Sequence, residues 1–473
     1  MSSVAIHTHF SNFVEAIAAG DSAALTKLAE ENVLRAEDAS ELIGRIALIA
    51  MRSDYEEHTV LTLSAASMLC RRLIALRHTL GEDSQEQTRG LPFVVQTLLA
   101  AAPAVRAGKD APQAYPEPLF PSTLPEGETV STAMQKAIHG RDAMTIERLL
   151  FGLYGTGADY RAISVRIYDG VSQTFQENGH AFLCAARGLQ ILDAAEWGEG
   201  TPFYLHWLAP HLALHEEEPD WITTVRDFLS ESQHSLASYR TRLAAPRNEQ
   251  ALPLRSLLLS NASVPQICQG VFDALIKNGA SARGIGSVLA LAVSDLLQKI
   301  DNDDYELFLE VAHGLLYTSA TRLIYTQVQE VEGLPQLFTA ATYVNTLYKK
   351  LSEKNTQATA TRPRPAGGGL IAPALLDSVD AHINAQDVAG ALATARRYVQ
   401  LGHDTAALFG AIGLTAAQAD ITADQGHTLQ IVQAAGDEYL AWPQELGQGN
   451  AEGFLQVALR AAALARRRTL TNA

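Results

Sequence analysis

ENGHAFLCAARGLQILD, residues 177–193, decides how this 473-residue chain is read, because its outline returns three more times. A histidine opens an apolar, helix-patterned stretch at His58 (HTVLTLSA), His180 (HAFLCAAR), His313 (HGLLYTSA) and His427 (HTLQIVQA). Seven residues on, two helical turns along the same face, three of the four carry alanine (Ala65, Ala320, Ala434), and the second carries Arg187. Upstream, a small-residue turn ending in an acid recurs as Ala19-Gly20-Asp21, Gly140-Arg141-Asp142 and Ala385-Gln386-Asp387. Self-similarity of this kind marks a chain built by stacking one module, here about 118 residues long. The expected fold is all-α: four degenerate multi-helix repeats forming a closed toroid or curved helical array around a central cleft. The expected units are repeat one over 1–107, a Pro-rich linker over 108–127, repeat two over 128–245, repeat three over 252–351, a flexible linker over 352–371 and repeat four over 372–473.

Composition agrees with an ordered helical protein. Hydrophobic residues make up 47% of the chain, and Gly and Pro cluster between the apolar segments. A net charge of −16 repels phosphate backbones and anionic lipid, which argues against nucleic-acid and membrane-surface partners. Cys70, Cys184 and Cys268 are isolated and odd in number, giving neither a disulfide framework nor a CxxC metal site. With no basic start and no long apolar run in MSSVAIHTHFSNFVEA, the expected location is a reducing cytoplasm.

Local signals place the helix ends. Gly157 with Asp159, Gly279 with Ser281 and Gly402 with Asp404 each read as a glycine stop followed two residues later by a capping side chain. Asp38 and Ser40 are candidate caps for ASELIGRIALIAMR, and Asp54 with Glu57 forms a capping pattern ahead of His58. Six prolines between Pro103 and Pro125 exclude helix and predict a strap, of the kind that covers a cleft. The path from Gly279 to His313 is longer than its counterparts and contains KIDNDDYE, which reads as an insertion.

The candidate chemistry is a histidine paired with a carboxylate one turn upstream. Glu177, Glu310 and Asp424 stand three residues before His180, His313 and His427, and Asp54 stands four before His58. On a helix such pairs share a face, and Glu-x-x-His on inward helices is how di-metal bundles present their ligands. The candidate metal set is therefore His58, His180, His313, His427, Glu177, Glu310 and Asp424, with iron or another divalent metal as the cofactor they would hold. The structural counterpart is that Glu177 and Asp424 only cap helices that begin after Gly179 and Gly426. A second cluster, His206, His211 and His215 before Glu216, Glu217 and Glu218, offers an i, i+4 chelating pair, interrupted by Pro210. Arg187 is either salt-bridged to Asp169, Asp193 or Glu177, or an anchor for an acidic or carbonyl-bearing ligand. The aromatics Tyr168, Phe175, Trp197, Phe203, Tyr204 and Trp207 cluster around this unit and read either as the lining of an apolar ligand pocket or, for most of them, as core. GxGxxG after a strand, a P-loop, GxSxG and HExxH are all missing, so no nucleotide cofactor is expected.

LLFGLYGTGADYRAISVRIYDG (149–170) and GHAFLCAARGLQILDAAEWG (179–198) resemble the questin oxidase-like family and the helical domain that accompanies Rieske modules, best over residues 134–198. That resemblance implies an all-helical protein tied to oxidation of polyketide-type aromatics, with Baeyer–Villiger chemistry in the fungal members. His180 is the position matching the motif. Cysteine and histidine pairs for a Rieske cluster are absent, so reducing equivalents would come from elsewhere.

The expected function is an oxidoreductase acting on an apolar, oxygenated small molecule in a histidine-lined cleft, with His180 as acid/base or ligand, Glu177 assisting and Arg187 orienting the substrate. The alternative is a non-catalytic helical-repeat module that binds a protein partner or a small ligand.

Overall fold

The acid-bearing turns fold alike because each reverses the chain through one left-handed residue and then caps the next helix. Gly20, Arg141 and Gln386 have φ of 70°, 59° and 59°. The carboxylate after each accepts the N–H three residues on: Asp21 from Ala24 at 2.9 Å, Asp142 from Thr145 at 3.0 Å, Asp387 from Gly390 at 3.0 Å. Gly157, Gly279 and Gly402 are left-handed too, and Asp159, Ser281 and Asp404 cap the helices that follow. Each side chain satisfies one of the N–H groups that a helix start leaves unpaired.

The structure, a computed structural model, describes residues 4–53, 57–80, 84–195, 197–239, 247–301, 304–327, 331–354 and 371–472. It is all-α, with no strand among the described residues. The first helices are α1 (Val4–Ala19), α2 (Ser22–Asn32), α3 (Ala36–Ala50), α4 (Glu57–Leu80), α5 (Ser84–Ala100) and α6 (Ala102–Lys109). There follow α7 (Val130–His139), α8 (Ala143–Gly155), α9 (Tyr160–Val171), α10 (His180–Ala195), α11 (Trp197–Leu212) and α12 (Asp220–Ser230). Next come α13 (Pro253–Leu258), α14 (Val264–Phe272), α15 (Ala282–Leu297), α16 (Tyr305–Gln327) and α17 (Pro335–Glu353). The chain closes with α18 (Ala372–Asn384), α19 (Val388–Gln400), α20 (Thr405–Ala417), α21 (His427–Leu440) and α22 (Glu452–Asn472). Among the described residues no single helix is long and apolar enough to cross a membrane.

The histidine helices α4, α10, α16 and α21 form the centre. Helix α4 packs against α10 and α21, and α16 packs against the same two, so the four make a ring. Every residue from His180 to Leu192 is buried, which is why α10 lacks a polar face. The four helices run in one direction, because their histidines meet at one level and a second set of side chains meets further along. That second set begins with Arg187, about 10 Å past His180 at 1.5 Å per residue; the residues seven after the other three histidines are the buried alanines Ala65, Ala320 and Ala434.

Several local expectations are refined. Asp38 lies within the first turn of α3 and reaches back to the Arg35 N–H at 2.9 Å, while Ser40 is buried against Ser67 at 2.7 Å. Helix α11 runs through Pro202 and Pro210 instead of breaking. In the third quarter the histidine helix starts early, at Tyr305, so the added chain before His313 includes two extra helical turns. Pro103 does not exclude helix, since it sits in the first turn of α6, where its missing N–H has no partner to lose; the strap that follows is pinned to α8, the Leu119 N–H donating to the Arg148 carbonyl at 2.8 Å and the Arg148 guanidinium to the Glu117 carbonyl. Asp54, residues 302–303 of the insertion and most of the 352–371 linker lie outside the described residues.

Candidate metal centre

Helices α10 and α21 begin on their histidines because the two preceding residues are left-handed. Asn178 and Gly179 have φ of 55° and 90°; Gln425 and Gly426 have 54° and 75°. A Cβ on Gly179 would stand 2.3 Å from the Tyr317 ring, and one on Gly426 would stand 1.9 Å from Thr62 Oγ1. Glycine is thus required by conformation and by space. His58 is the second residue of α4, whereas His313 sits inside α16.

The four imidazoles converge. Ring centroids are 4.8 Å apart for His58 and His180, 5.4 Å for His180 and His313, 4.7 Å for His313 and His427, and 5.0 Å for His427 and His58. His58, His180 and His427 each bring one ligand-capable nitrogen within 4.8 Å of the others. The Nε2 atoms of His313 and His427 are 3.0 Å apart.

Outer partners fix the tautomers. His427 Nδ1 lies 2.5 Å from the Asp424 carbonyl and His313 Nδ1 lies 2.9 Å from the Leu309 carbonyl. A carbonyl can only accept, so both Nδ1 atoms carry the hydrogen and, in the neutral ring, both Nε2 atoms are bare. His180 Nδ1 lies 3.0 Å from Glu57 Oε1 in the same way. Burial, with the neighbouring imidazoles adding to it, lowers the His313 pKa to about 3. Burial likewise takes His427 to about 4, against the pull of the Asp424 carbonyl. Both rings are therefore neutral at physiological pH. Burial alone would raise the Glu57 carboxyl, but the hydrogen bond from His180 and the charges of His180 and His58 outweigh it and hold it at about 2.

The carboxylates singled out by spacing fare differently. Glu177, exposed in a short turn, lies with Glu57 and His180 in a group whose ligand atoms are within 4.8 Å of one another. Asp424 does not face the rings with its carboxylate: that group accepts from the N–H groups of Gly426 and Thr428, at 3.0 Å each, and from the Tyr305 hydroxyl. It is a cap, because it precedes a helix start. Glu310 pairs instead with Lys350 of α17. Arg187 binds none of the acids proposed for it; its Nη1 donates to Gln190 Oε1 at 2.8 Å and lies 3.7 Å from Asp437 Oδ2. There it joins Arg72, which pairs with Asp437, and Arg322, which donates to Glu438 at 2.7 Å.

The second histidine cluster disperses. His206 contacts Glu147 at 2.6 Å, His215 Nε2 contacts the Pro210 carbonyl, and only His211 approaches the centre, 3.9 Å from Glu57 Oε2. Tyr168, Tyr204 and Trp207 are fully buried core, and the Tyr204 hydroxyl donates to the Ala185 carbonyl. Sequence reasoning missed Glu57 as a site residue. Its one signal was that the first histidine alone has an acid directly before it.

Fold and site thus define an all-helical protein with four histidines clustered between parallel helices, His180 and His427 buried and His58 and His313 partly so. No family model, no curated protein and no solved structure matches this chain.

Proposed function

We propose that the four-histidine cluster is a transition-metal centre and that the chain is a metal-dependent oxidoreductase. The observation that carries the metal is the 3.0 Å approach of His313 Nε2 to His427 Nε2, both bare. Two lone pairs at that distance repel unless a proton or a cation lies between them, and burial disfavours the proton. Nitrogens bound to one ion at about 2.0–2.1 Å, with angles of roughly 90–110°, stand about 3.0–3.4 Å apart. Neutral imidazoles held from behind by carbonyl or carboxylate groups are also the usual state of histidine ligands. An all-nitrogen set suits iron, zinc, copper or nickel and is poor for magnesium or calcium.

The oxidoreductase assignment is supported by the resemblance of residues 134–198 to questin oxidase-like proteins and by the redox-active ions such a set accepts. The substrate class proposed is an apolar, oxygenated small molecule, approaching from the side where Glu57, Glu177 and His211 are partly exposed. His180 is a ligand in this scheme, and Glu177 lines its approach. Arg187 holds the charge network below the centre. The recurring Asp caps, the left-handed residues before His180 and His427, and the ring of central helices support four degenerate repeats closed around the cluster.

Metal analysis of the purified protein tests the proposal. Roughly one transition-metal ion per chain is expected, with most of it lost in His180→Ala together with dioxygen uptake on polyketide-type aromatics. A protein that stays metal-free after incubation with iron(II), zinc(II) and copper(II) would leave a non-catalytic helical module as the better description.

A further inference from the structure

We infer that Glu57 is the positioning residue of this centre, holding His180 by its outer nitrogen and placing a negative charge directly behind the ligand cluster. The inference rests on the metal centre proposed above. Glu57 Oε1 is 3.0 Å from His180 Nδ1 and 3.6 Å from His58 Nδ1, so one carboxylate oxygen faces two of the four rings. Its other oxygen lies 3.9 Å from His211 Nδ1, on the partly exposed side.

The placement follows from helix ends. Glu57 is the first residue of α4, and His180 is the first of α10, so the two starts lie level and the carboxylate crosses from one helix to the next. Helices α4, α10 and α21 all present their N-termini here, each carrying the equivalent of about half a positive charge. A divalent cation among three such ends needs an anion close by. Of the acids three residues upstream of a histidine, Asp424 is engaged as a cap, Glu310 is turned to Lys350, and Glu177 lies exposed beside Glu57 and His180. Glu57 supplies the charge from within hydrogen-bond distance of a ligand. The contact also keeps the hydrogen on His180 Nδ1, leaving Nε2 bare toward the other rings, and a carboxylate acceptor raises the basicity of the nitrogen it backs.

Cobalt(II) is the probe, titrated into the full chain and followed by its visible ligand-field bands, with affinity taken from competition against a chelator. Glu57→Gln keeps the shape and removes the charge; Glu57→Asp keeps the charge and withdraws it by one methylene. Both are expected to bind cobalt(II) about 10–100-fold more weakly than the parent and with shifted bands. Glu310→Gln, an equal loss of charge at a carboxylate facing away from the cluster, is expected to leave affinity and spectrum unchanged. Melting of the metal-free variants, followed by circular dichroism, separates this effect from unfolding. If both Glu57 variants hold cobalt(II) with parental affinity and parental bands, the positioning role falls while the metal centre stands. If the parent takes up no cobalt(II), both fall.

Discussion

At Gly426 the backbone is left-handed, and the space a Cβ would need is filled by the Thr62 hydroxyl. Gly426→Ala is therefore expected to cost about 1–3 kcal/mol, combining strained backbone and a displaced neighbour. The same displacement moves His427, so metal affinity should fall with stability. Urea denaturation of the metal-free variant, set beside its cobalt(II) affinity, checks both; a variant with parental midpoint and affinity would mean that the turn does not position the ring. The same logic explains why Glu57 was hard to find in the sequence. Residues one and two apart on a helix do not face each other, so an acid directly before a histidine does not read as its partner, whereas one three or four residues upstream does. The contact that forms runs between helices, from α4 to α10, and local spacing carries no trace of it. Arg187 is a parallel case, because its acid partner Asp437 is contributed by α21, far away in the chain.

Several helix starts, by contrast, were legible. Asp159, Ser281 and Asp404 cap their helices as read from the glycine stops before them, and the turn acids Asp21, Asp142 and Asp387 cap theirs too, because a cap is fixed by side chains within three residues of the N–H groups it satisfies. Asp142→Ala and Asp387→Ala should each lower stability by about 0.5–2 kcal/mol, read as a drop in denaturation midpoint. A double variant should show the sum, since the two turns share no partner. An unchanged midpoint in either single variant would show that the cap does not carry the turn. Proline was less reliable as a guide: α11 continues through Pro202 and Pro210 because packing against α8 and α10 holds the helix across the lost hydrogen bonds.

Across the whole molecule, the first and last quarters of the chain meet at the central ring. Thr62 donates to the Gln425 carbonyl, and Arg72 pairs with Asp437. Arg322 and Glu438, 5% and 0% exposed, join the third quarter to the fourth. A buried pair of this kind contributes little against an apolar replacement, but breaking it from one side strands a charge. Arg322→Met should cost about 3–5 kcal/mol, and Arg322→Met with Glu438→Leu should recover much of it. Equal loss in the single and double variants, measured by chemical denaturation, would contradict the pairing. Cys70, Cys184 and Cys268 are all buried in the same body, and burial, outweighing hydrogen bonding to Thr342 and the backbone, pushes the Cys268 thiol up to about 12. Alkylation is accordingly expected only at the rate of global unfolding, and fast labelling of the native protein would count against so continuous a core.

The central claim is that a metal ion draws the four rings together. Anomalous diffraction from crystals of protein reconstituted with cobalt(II) tests it most directly. The expected result is one strong peak among His58, His180, His313 and His427, with Nε2 atoms at about 2.0–2.1 Å. No peak there, with one of the His313 and His427 rings turned so that it donates a hydrogen bond to the other, would contradict the claim.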